Sequence, residues 1–144
     1  MSADGETPNK LAGVSRIAIR WGDMDAIGHV NNTVYFRYME QGRIEMLDRL
    51  GIAIDPQGKH PVIVSTACTF LVPLSYPGEA EIRIFTGAIG RSSFQTRMEI
   101  RRVGAAELCA EGTAKIVWID AATGRSTPLP PEIRAWLEAP GEDC

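Results

Sequence analysis

The stretch from Arg20 to Gly51 constrains the fold most, because an acidic, glycine-containing loop leads directly into an amphipathic helix. Asn31, Asn32 and Thr33 supply the side-chain oxygens that cap a helix N-terminus, so we expect the helix to begin among them. Gly51 stands where a left-handed C-terminal cap is expected. Apolar and small residues recur between these ends at spacings of three and four: Tyr35, Met39, Gly42, Met46 and Leu50, widened by Phe36 and Leu47. This stripe predicts a helix that buries one face against a sheet.

Alternation of apolar and polar residues predicts five strands, which cover residues 14–20, 61–74, 79–89, 94–101 and 107–119. Pro130, Pro131 and Glu132 are typical of the start of a short helix, whose apolar side would be Ile133, Trp136 and Leu137. The sequence therefore predicts an α+β fold with one long helix, an antiparallel five-stranded sheet and a short C-terminal helix. Because one long helix cannot cover both faces of such a sheet, we expect a homo-oligomer.

The length of 144 residues and the 44% hydrophobic content predict one domain, at residues 13–138, between flexible ends at 1–12 and 139–144. A net charge of -3 argues against a nucleic-acid partner. No run approaches the roughly 20 apolar residues of a membrane span, and the N-terminus lacks the apolar region of a secretory signal. Three widely spaced cysteines fit a reducing compartment, and we therefore expect a cytoplasmic protein.

The loop before the helix carries the chemical information. Asp23 and Asp25 flank Met24, and His29 follows four residues after Asp25. Unpaired N–H groups at a helix N-terminus can bind the partially negative oxygen of a polarised carbonyl. A carboxylate beside such donors is what the hydrolysis of an acyl compound requires.

The segment RWGDMDAIGHVNNTVYFRYMEQGR resembles the N-terminal signature of hotdog-fold acyl-CoA thioesterases of the 4-hydroxybenzoyl-CoA thioesterase-like family. The FLVPL segment and the GRSSF turn are also similar to this family, and the resemblance runs from about Val14 to Ile119. It implies a long helix wrapped by a curved antiparallel sheet. It further implies homodimers, often assembled into homotetramers, with active sites at the subunit interface.

The resemblance also implies roles for single residues. Asp25 would be the catalytic carboxylate, acting as nucleophile or as general base, and the backbone N–H of Asn32 would polarise the thioester oxygen. His29 matches a histidine of related plant acyl-carrier-protein thioesterases, but these have an asparagine where this chain has Ile27. His29 is therefore expected either to belong to the catalytic pocket or to pack within the loop. Tyr35 is expected either to line the pocket or to pack in the core. Asp23 is expected to orient the loop.

The turn that contains Arg91, Ser92 and Ser93 often contacts the CoA nucleotide or pantetheine in this family. Arginine suits phosphate because it makes charge-assisted, bidentate hydrogen bonds. Ordinary turn chemistry would explain the same three residues.

The sequence therefore predicts an acyl-CoA thioesterase that needs neither a cofactor nor a metal and releases a free carboxylic acid and CoA. The alternatives are a hydratase or dehydratase that acts on acyl thioesters with the same fold, a thioesterase for acyl carrier protein, and a non-catalytic acyl-CoA-binding module. The sequence does not determine the acyl group, and it leaves dimer and tetramer both open.

Overall fold

The computed structural model describes residues 10–141. In chain order the strands and helices are β1 (Lys10–Ile19), α1 (Asn32–Arg49), β2 (Lys59–Phe70), β3 (Gly78–Ile89), β4 (Ser93–Arg102), β5 (Leu108–Asp120), β6 (Arg125–Ser126) and α2 (Pro131–Glu138). A short 3₁₀ turn, Trp21–Asp23, lies between β1 and α1. None of the helices in this part of the chain is long and apolar enough to cross a membrane.

The strands form one antiparallel sheet in the order β1-β3-β4-β5-β2, and the two-residue β6 pairs with β5. Strands β1 and β2 are therefore the two edges of the main sheet. The predicted α+β architecture, with one long helix, a five-stranded antiparallel sheet and a short C-terminal helix, is confirmed.

Helix α1 begins and ends where the sequence predicts. Asn31 is the N-cap, and its side-chain oxygen accepts the N–H of Thr33 at 2.9 Å. Gly51 follows the helix with φ = 74°, a conformation that favours glycine. The buried face consists of Tyr35, Tyr38, Met39, Gly42, Met46 and Leu47. Only Tyr38 in this set is absent from the predicted stripe.

Gly42 marks a close approach between α1 and the sheet. A Cβ atom built at Gly42 would lie 3.1 Å from Cγ2 of Ile82, which is itself fully buried on β3. Glycine costs roughly 1 kcal/mol relative to alanine within a helix. The short separation supplies a packing reason for tolerating that cost.

The face of the sheet that α1 covers is built from alternate residues of the three central strands. The buried members are Ala80, Ile82, Ile84 and Thr86 of β3, Phe94, Thr96, Met98 and Ile100 of β4, and Ala110, Ala114, Ile116 and Trp118 of β5. They match the predicted apolar alternation, because every second side chain of a strand points to the same face.

The first strand differs from its predicted bounds. It begins at Lys10 and ends at Ile19, so residues 10–12 belong to the sheet, and residues 1–9 lie outside the described chain. Trp21 continues the apolar alternation of Ile17 and Ile19, which predicts a buried side chain, but its side chain is 73% exposed. The reason is that the chain leaves the strand at Arg20 and enters the 3₁₀ turn, in which Asp23 is the buried residue.

The second strand ends at Phe70, four residues before the predicted end, and an irregular segment connects it to β3. Its apolar side chains are largely exposed because β2 is an edge strand: Val64 is 55% exposed, and Leu71, just after the strand, is 51% exposed. After α2, residues 139–141 lie outside helix and strand, and the rest of the predicted flexible tail is outside the described residues.

Candidate active site

The loop between the 3₁₀ turn and α1 is a small hairpin. Met24 and Val30 pair as an isolated bridge, and the N–H of Asp25 donates to the carbonyl of His29 at 2.9 Å. The N–H of Gly28 donates to the carbonyl of Asp25 at 3.0 Å, which closes a turn, and φ = 85° at Gly28 favours glycine there. The loop thus has a defined shape that presents Asp25 and His29 together.

Asp23 holds this loop against the helix. Its carboxylate Oδ2 accepts the hydroxyl of Tyr38 at 2.8 Å and the N–H of Arg20 at 2.9 Å, and its carbonyl accepts the N–H of Asn31 at 2.9 Å. Burial, followed by the hydrogen bond to Asp23 and the charge of that carboxylate, raises the pKa of Tyr38. These contacts agree with the loop-orienting role predicted for Asp23.

Asp25 has a different environment, although it lies only two residues further on. Its side chain is exposed, and Oδ1 accepts the N–H of Ile27 at 2.9 Å. Among residues 10–141, no donor is bonded to the other oxygen, Oδ2. One carboxylate oxygen is therefore fixed by the loop, and the other is available.

The backbone N–H of Asn32 is available as well. Asn32 is the first residue of α1, and the next two N–H groups, of Thr33 and Val34, are both bonded to Asn31 at 2.9 Å. Within the described chain, no acceptor is bonded to the N–H of Asn32. This donor lies at the positive end of the helix dipole, where a developing negative charge is favoured.

A cleft of about 350 Å³ brings these groups together. The loop and the start of α1 form one wall, and the segment that ends β2 forms the other. Its lining residues are Asp25, His29, Val30, Asn32, Tyr35 and the run Phe70, Leu71, Val72 and Pro73. Four of the seven predicted site residues therefore share one cleft: Asp25, His29, Asn32 and Tyr35.

Tyr35 is both a core residue and part of the cleft wall. Its side chain is buried, its ring meets that of Phe70 edge to face at 5.0 Å, and its hydroxyl accepts the N–H of Leu74 at 3.3 Å. Burial raises the pKa of the Tyr35 phenol. Both roles left open by the sequence are therefore compatible with its position.

Comparison with known proteins shows a family match over most of the chain. Residues 19–137 match the family model of the thioesterase-like superfamily. The chain belongs to this superfamily. It is therefore a thioester hydrolase, and the predicted hotdog fold is confirmed.

Three relatives illustrate the similarity. The PA2801 protein of Pseudomonas aeruginosa, a candidate thioesterase, is 36% identical, with a TM-score of 0.85 over 89% of this chain and 99% of its own. A thioesterase of Thermus thermophilus, solved with coenzyme A and zinc, is 32% identical, with a TM-score of 0.76 over 92% of this chain and 99% of its own. The uncharacterised YsmA protein of Bacillus subtilis is 26% identical over 112 residues, 78% of this chain and 76% of that protein.

The other three predicted site residues of the thioesterase lie elsewhere in the chain. Arg91, Ser92 and Ser93 lie at the β3–β4 turn, where the carbonyl of Ser92 accepts the N–H of Trp118 at 2.8 Å. The opposite ends of β3 and β4 adjoin the cleft, since Arg102 donates to the carbonyl of Ser75 at 2.6 Å. A single subunit therefore does not bring this turn to the cleft.

The Phe70–Pro73 wall was not among the predicted site residues. The only sequence signal for it was the similarity of the FLVPL segment to the family. The apolar alternation predicted a continuing strand, and it could not show that the chain turns across the N-terminus of α1.

Across residues 10–141, no three His, Cys, Asp or Glu side chains cluster closely enough to hold a metal ion.

Proposed function

We propose that the protein is an acyl-CoA thioesterase in which Asp25 and the N–H of Asn32 carry out the chemistry. The observation that carries this proposal is that a carboxylate oxygen and a helix-terminal N–H, both without partners among the described residues, line the same cleft. A thioester carbonyl placed between them would direct its oxygen to the amide and its carbon to the carboxylate. This is the arrangement that acyl transfer requires.

The reaction can follow two routes from this geometry. Oδ2 of Asp25 can attack the carbonyl carbon and expel the CoA thiolate, which leaves a mixed anhydride that water then cleaves. Alternatively, Asp25 takes a proton from water, and the resulting hydroxide attacks the same carbon. In both routes the Asn32 amide stabilises the oxyanion, and the products are a carboxylate and CoA thiol.

CoA is the carrier that the comparisons favour. The Thermus thermophilus thioesterase, similar over most of both chains, was solved with coenzyme A. The exposed cleft is also compatible with acyl carrier protein.

We further propose that the enzyme is at least a homodimer joined through β2, with the cleft at the subunit interface. Edge strands with exposed apolar residues tend to pair with another chain. On β2 and just after it, Val64, Phe70 and Leu71 are between 44% and 55% exposed. A second copy would cover these side chains and could bring its own Arg91 turn toward the cleft. A cytoplasmic location and a tetramer remain predictions.

The test is hydrolysis of a panel of short, medium, long and aromatic acyl-CoAs, beside the same acyl groups on acyl carrier protein. Chromatographic separation of CoA from acyl-CoA avoids reagents that would also react with the three cysteines. We expect turnover of at least one acyl-CoA and weaker turnover on the protein carrier. Binding of acyl-CoA without turnover of any substrate would favour a non-catalytic module.

A further inference from the structure

A second, smaller cavity of about 120 Å³ lies beside α1, beyond the active-site cleft. Apolar side chains form most of its wall, chiefly those of Ile44, Leu47, Ile54, Ile63 and Ile116. Two other residues lining it are charged: Arg43, at the start of the fourth turn of α1, and Glu40, about one turn earlier. We call this cavity, with Arg43 at its polar end, the distal pocket.

Arg43 is an unusual residue to find there. Its Nη1 is out of contact with solvent and has no hydrogen-bond partner among the described residues. Glu40 is exposed, and its carboxylate pairs instead with Arg37, 3.7 Å away. Burial lowers the pKa of the Arg43 guanidinium. The charge of Glu40 acts in the opposite direction, but Glu40 supplies no acceptor for Nη1. A guanidinium nitrogen that is removed from water without an acceptor is costly, so Nη1 calls for a partner that the described residues do not supply.

The distal pocket and the active-site cleft lie along the same side of the helix. The cleft is formed by the start of α1 and the end of β2, and the distal pocket by the later part of α1 and the start of β2. Helix α1 packs chiefly against β1 and β3, which leaves a seam between α1 and β2. An acyl group whose thioester lies at Asn32 can therefore extend along this seam toward Arg43.

We propose that Arg43 binds a carboxylate at the far end of the acyl group, so that the preferred substrates are ω-carboxyacyl thioesters. Arg43 lies eleven residues after Asn32 in the helix, which corresponds to a rise of about 16.5 Å along the axis. Because helical side chains lean toward the N-terminus, the guanidinium is closer than that. An acyl group of roughly eight to twelve carbon atoms spans the gap.

The occupant is more consistent with a substrate than with a second subunit. Ile116 belongs to β5, inside the edge strand, and its side chain is buried. The cavity therefore reaches behind β2 to the covered face of the sheet, whereas a copy paired along β2 would meet the outer edge of that strand. Methylene groups suit the isoleucine-rich wall, and a terminal carboxylate suits the single guanidinium.

This inference rests on the proposed function, and the test separates the two. We compare kcat/KM for suberyl-CoA and octanoyl-CoA, and for sebacyl-CoA and decanoyl-CoA, in the wild type, Arg43→Met and the control Arg49→Met. The control removes an exposed arginine of the same helix that lines neither the cleft nor the distal pocket. We expect the carboxylated member of at least one pair to be favoured about tenfold or more in the wild type and in the control, and the preference to be lost or reversed in Arg43→Met.

A second readout does not depend on turnover. Sebacate is expected to raise the melting temperature of the wild type more than decanoate does, and Arg43→Met is expected to abolish that difference. Equal use of both members of each pair, together with equal thermal shifts, would overturn the proposal. So would a change from dimer to monomer in Arg43→Met without any change in substrate preference, because Arg43 would then be a subunit contact.

Discussion

At the scale of single residues, the two aspartates of the Asp-x-Asp pair have opposite environments. Asp23 is buried and accepts hydrogen bonds from Tyr38 and Arg20, whereas Asp25 is exposed and keeps one oxygen without a partner among the described residues. The first therefore shapes the loop, and the second is available for chemistry. We therefore expect that Asp25 can be replaced without disturbing the contacts through which Asp23 anchors the loop.

The amide of Asn32 can be tested by removing its hydrogen. Asn32 is the first helical residue, where proline is well tolerated, and Asn31 has φ = -63° and ψ = 141°, which suits a residue before proline. Asn32→Pro is therefore expected to fold normally and to lower kcat about a hundredfold or more. Asn32→Ala keeps the N–H and is expected to retain most of the activity. Equal activity of the two variants would show that this amide is not the oxyanion donor.

The Tyr38–Asp23 hydrogen bond predicts a dependence of stability on pH. The pKa of Tyr38 is raised in the folded state. The protonated phenol therefore contributes fully to the free energy of unfolding below its ordinary pKa of about 10, and this contribution is lost as pH rises above that value. Tyr38→Phe is expected to destabilise the protein by about 1–3 kcal/mol at neutral pH. It is also expected to flatten, though not abolish, the alkaline decline, since the pKa of Tyr35 is raised too. Urea unfolding from pH 8 to 11 measures both effects, and an unchanged alkaline slope would contradict this account.

The sequence predicts some of these residues better than others. Asp25, Asn32 and His29 could be placed at one site because they belong to a compact motif at a helix N-terminus. Tyr38 could not, because it lies beside the predicted stripe and its partner is fifteen residues away. A hydrogen bond of that kind depends on how the loop folds back, and residue spacing does not encode it.

At the scale of elements, the helix was predicted closely and the edge strands were not. The ends of a helix are set by local residues, here Asn31 and Gly51. Apolar–polar alternation predicts a strand reliably where one face of the sheet is buried. The ends of edge strands depend on their partners: Lys10 belongs to β1 because it pairs with Thr86 of β3. The apolar run after Phe70 leaves the strand to form the cleft wall, which its composition alone could not indicate.

Gly42 tests the contact between helix and sheet. Gly42→Leu would force side-chain atoms into the space next to Ile82, and we expect a loss of about 1–3 kcal/mol in the free energy of unfolding. Gly42→Ala is expected to change stability by less than about 1 kcal/mol, because higher helix propensity offsets the tight 3.1 Å contact. Thermal and urea unfolding distinguish these outcomes. Equal stability of the leucine variant and the wild type would argue against close packing at Gly42.

At the scale of the whole molecule, the surface explains why a second subunit is expected. The ion pairs on the outer face of β4 run along the strand, as Glu99 pairs with Arg97 and Arg101 at 2.7 Å each. These hydrogen bonds and charges lower the pKa of Glu99 despite its partial desolvation. Exposed apolar side chains lie instead on and beside β2. The apolar surface that a second subunit could cover is therefore at this edge of the sheet.

The two edges of the sheet provide a matched test of assembly. Val64→Lys places a charge on β2, and Val14→Lys places the same charge on β1, where the original side chain is 39% exposed. We expect light scattering to show a smaller oligomer for the β2 variant and no change for the β1 variant. Loss of activity together with the smaller oligomer would agree with a site at the interface. The reverse pattern, dissociation only in the β1 variant, would place the interface at the other edge.

The most direct test of the central claim is the turnover of the best acyl-CoA substrate by Asp25→Asn and by the control Asp120→Asn. Both aspartates use Oδ1 to accept a backbone N–H two residues ahead at 2.9 Å, and asparagine preserves that contact, but Asp120 does not line the cleft. We predict that Asp25→Asn lowers kcat at least about a hundredfold with an unchanged melting temperature, and that Asp120→Asn keeps wild-type activity. Wild-type turnover by Asp25→Asn would show that another group performs the hydrolysis.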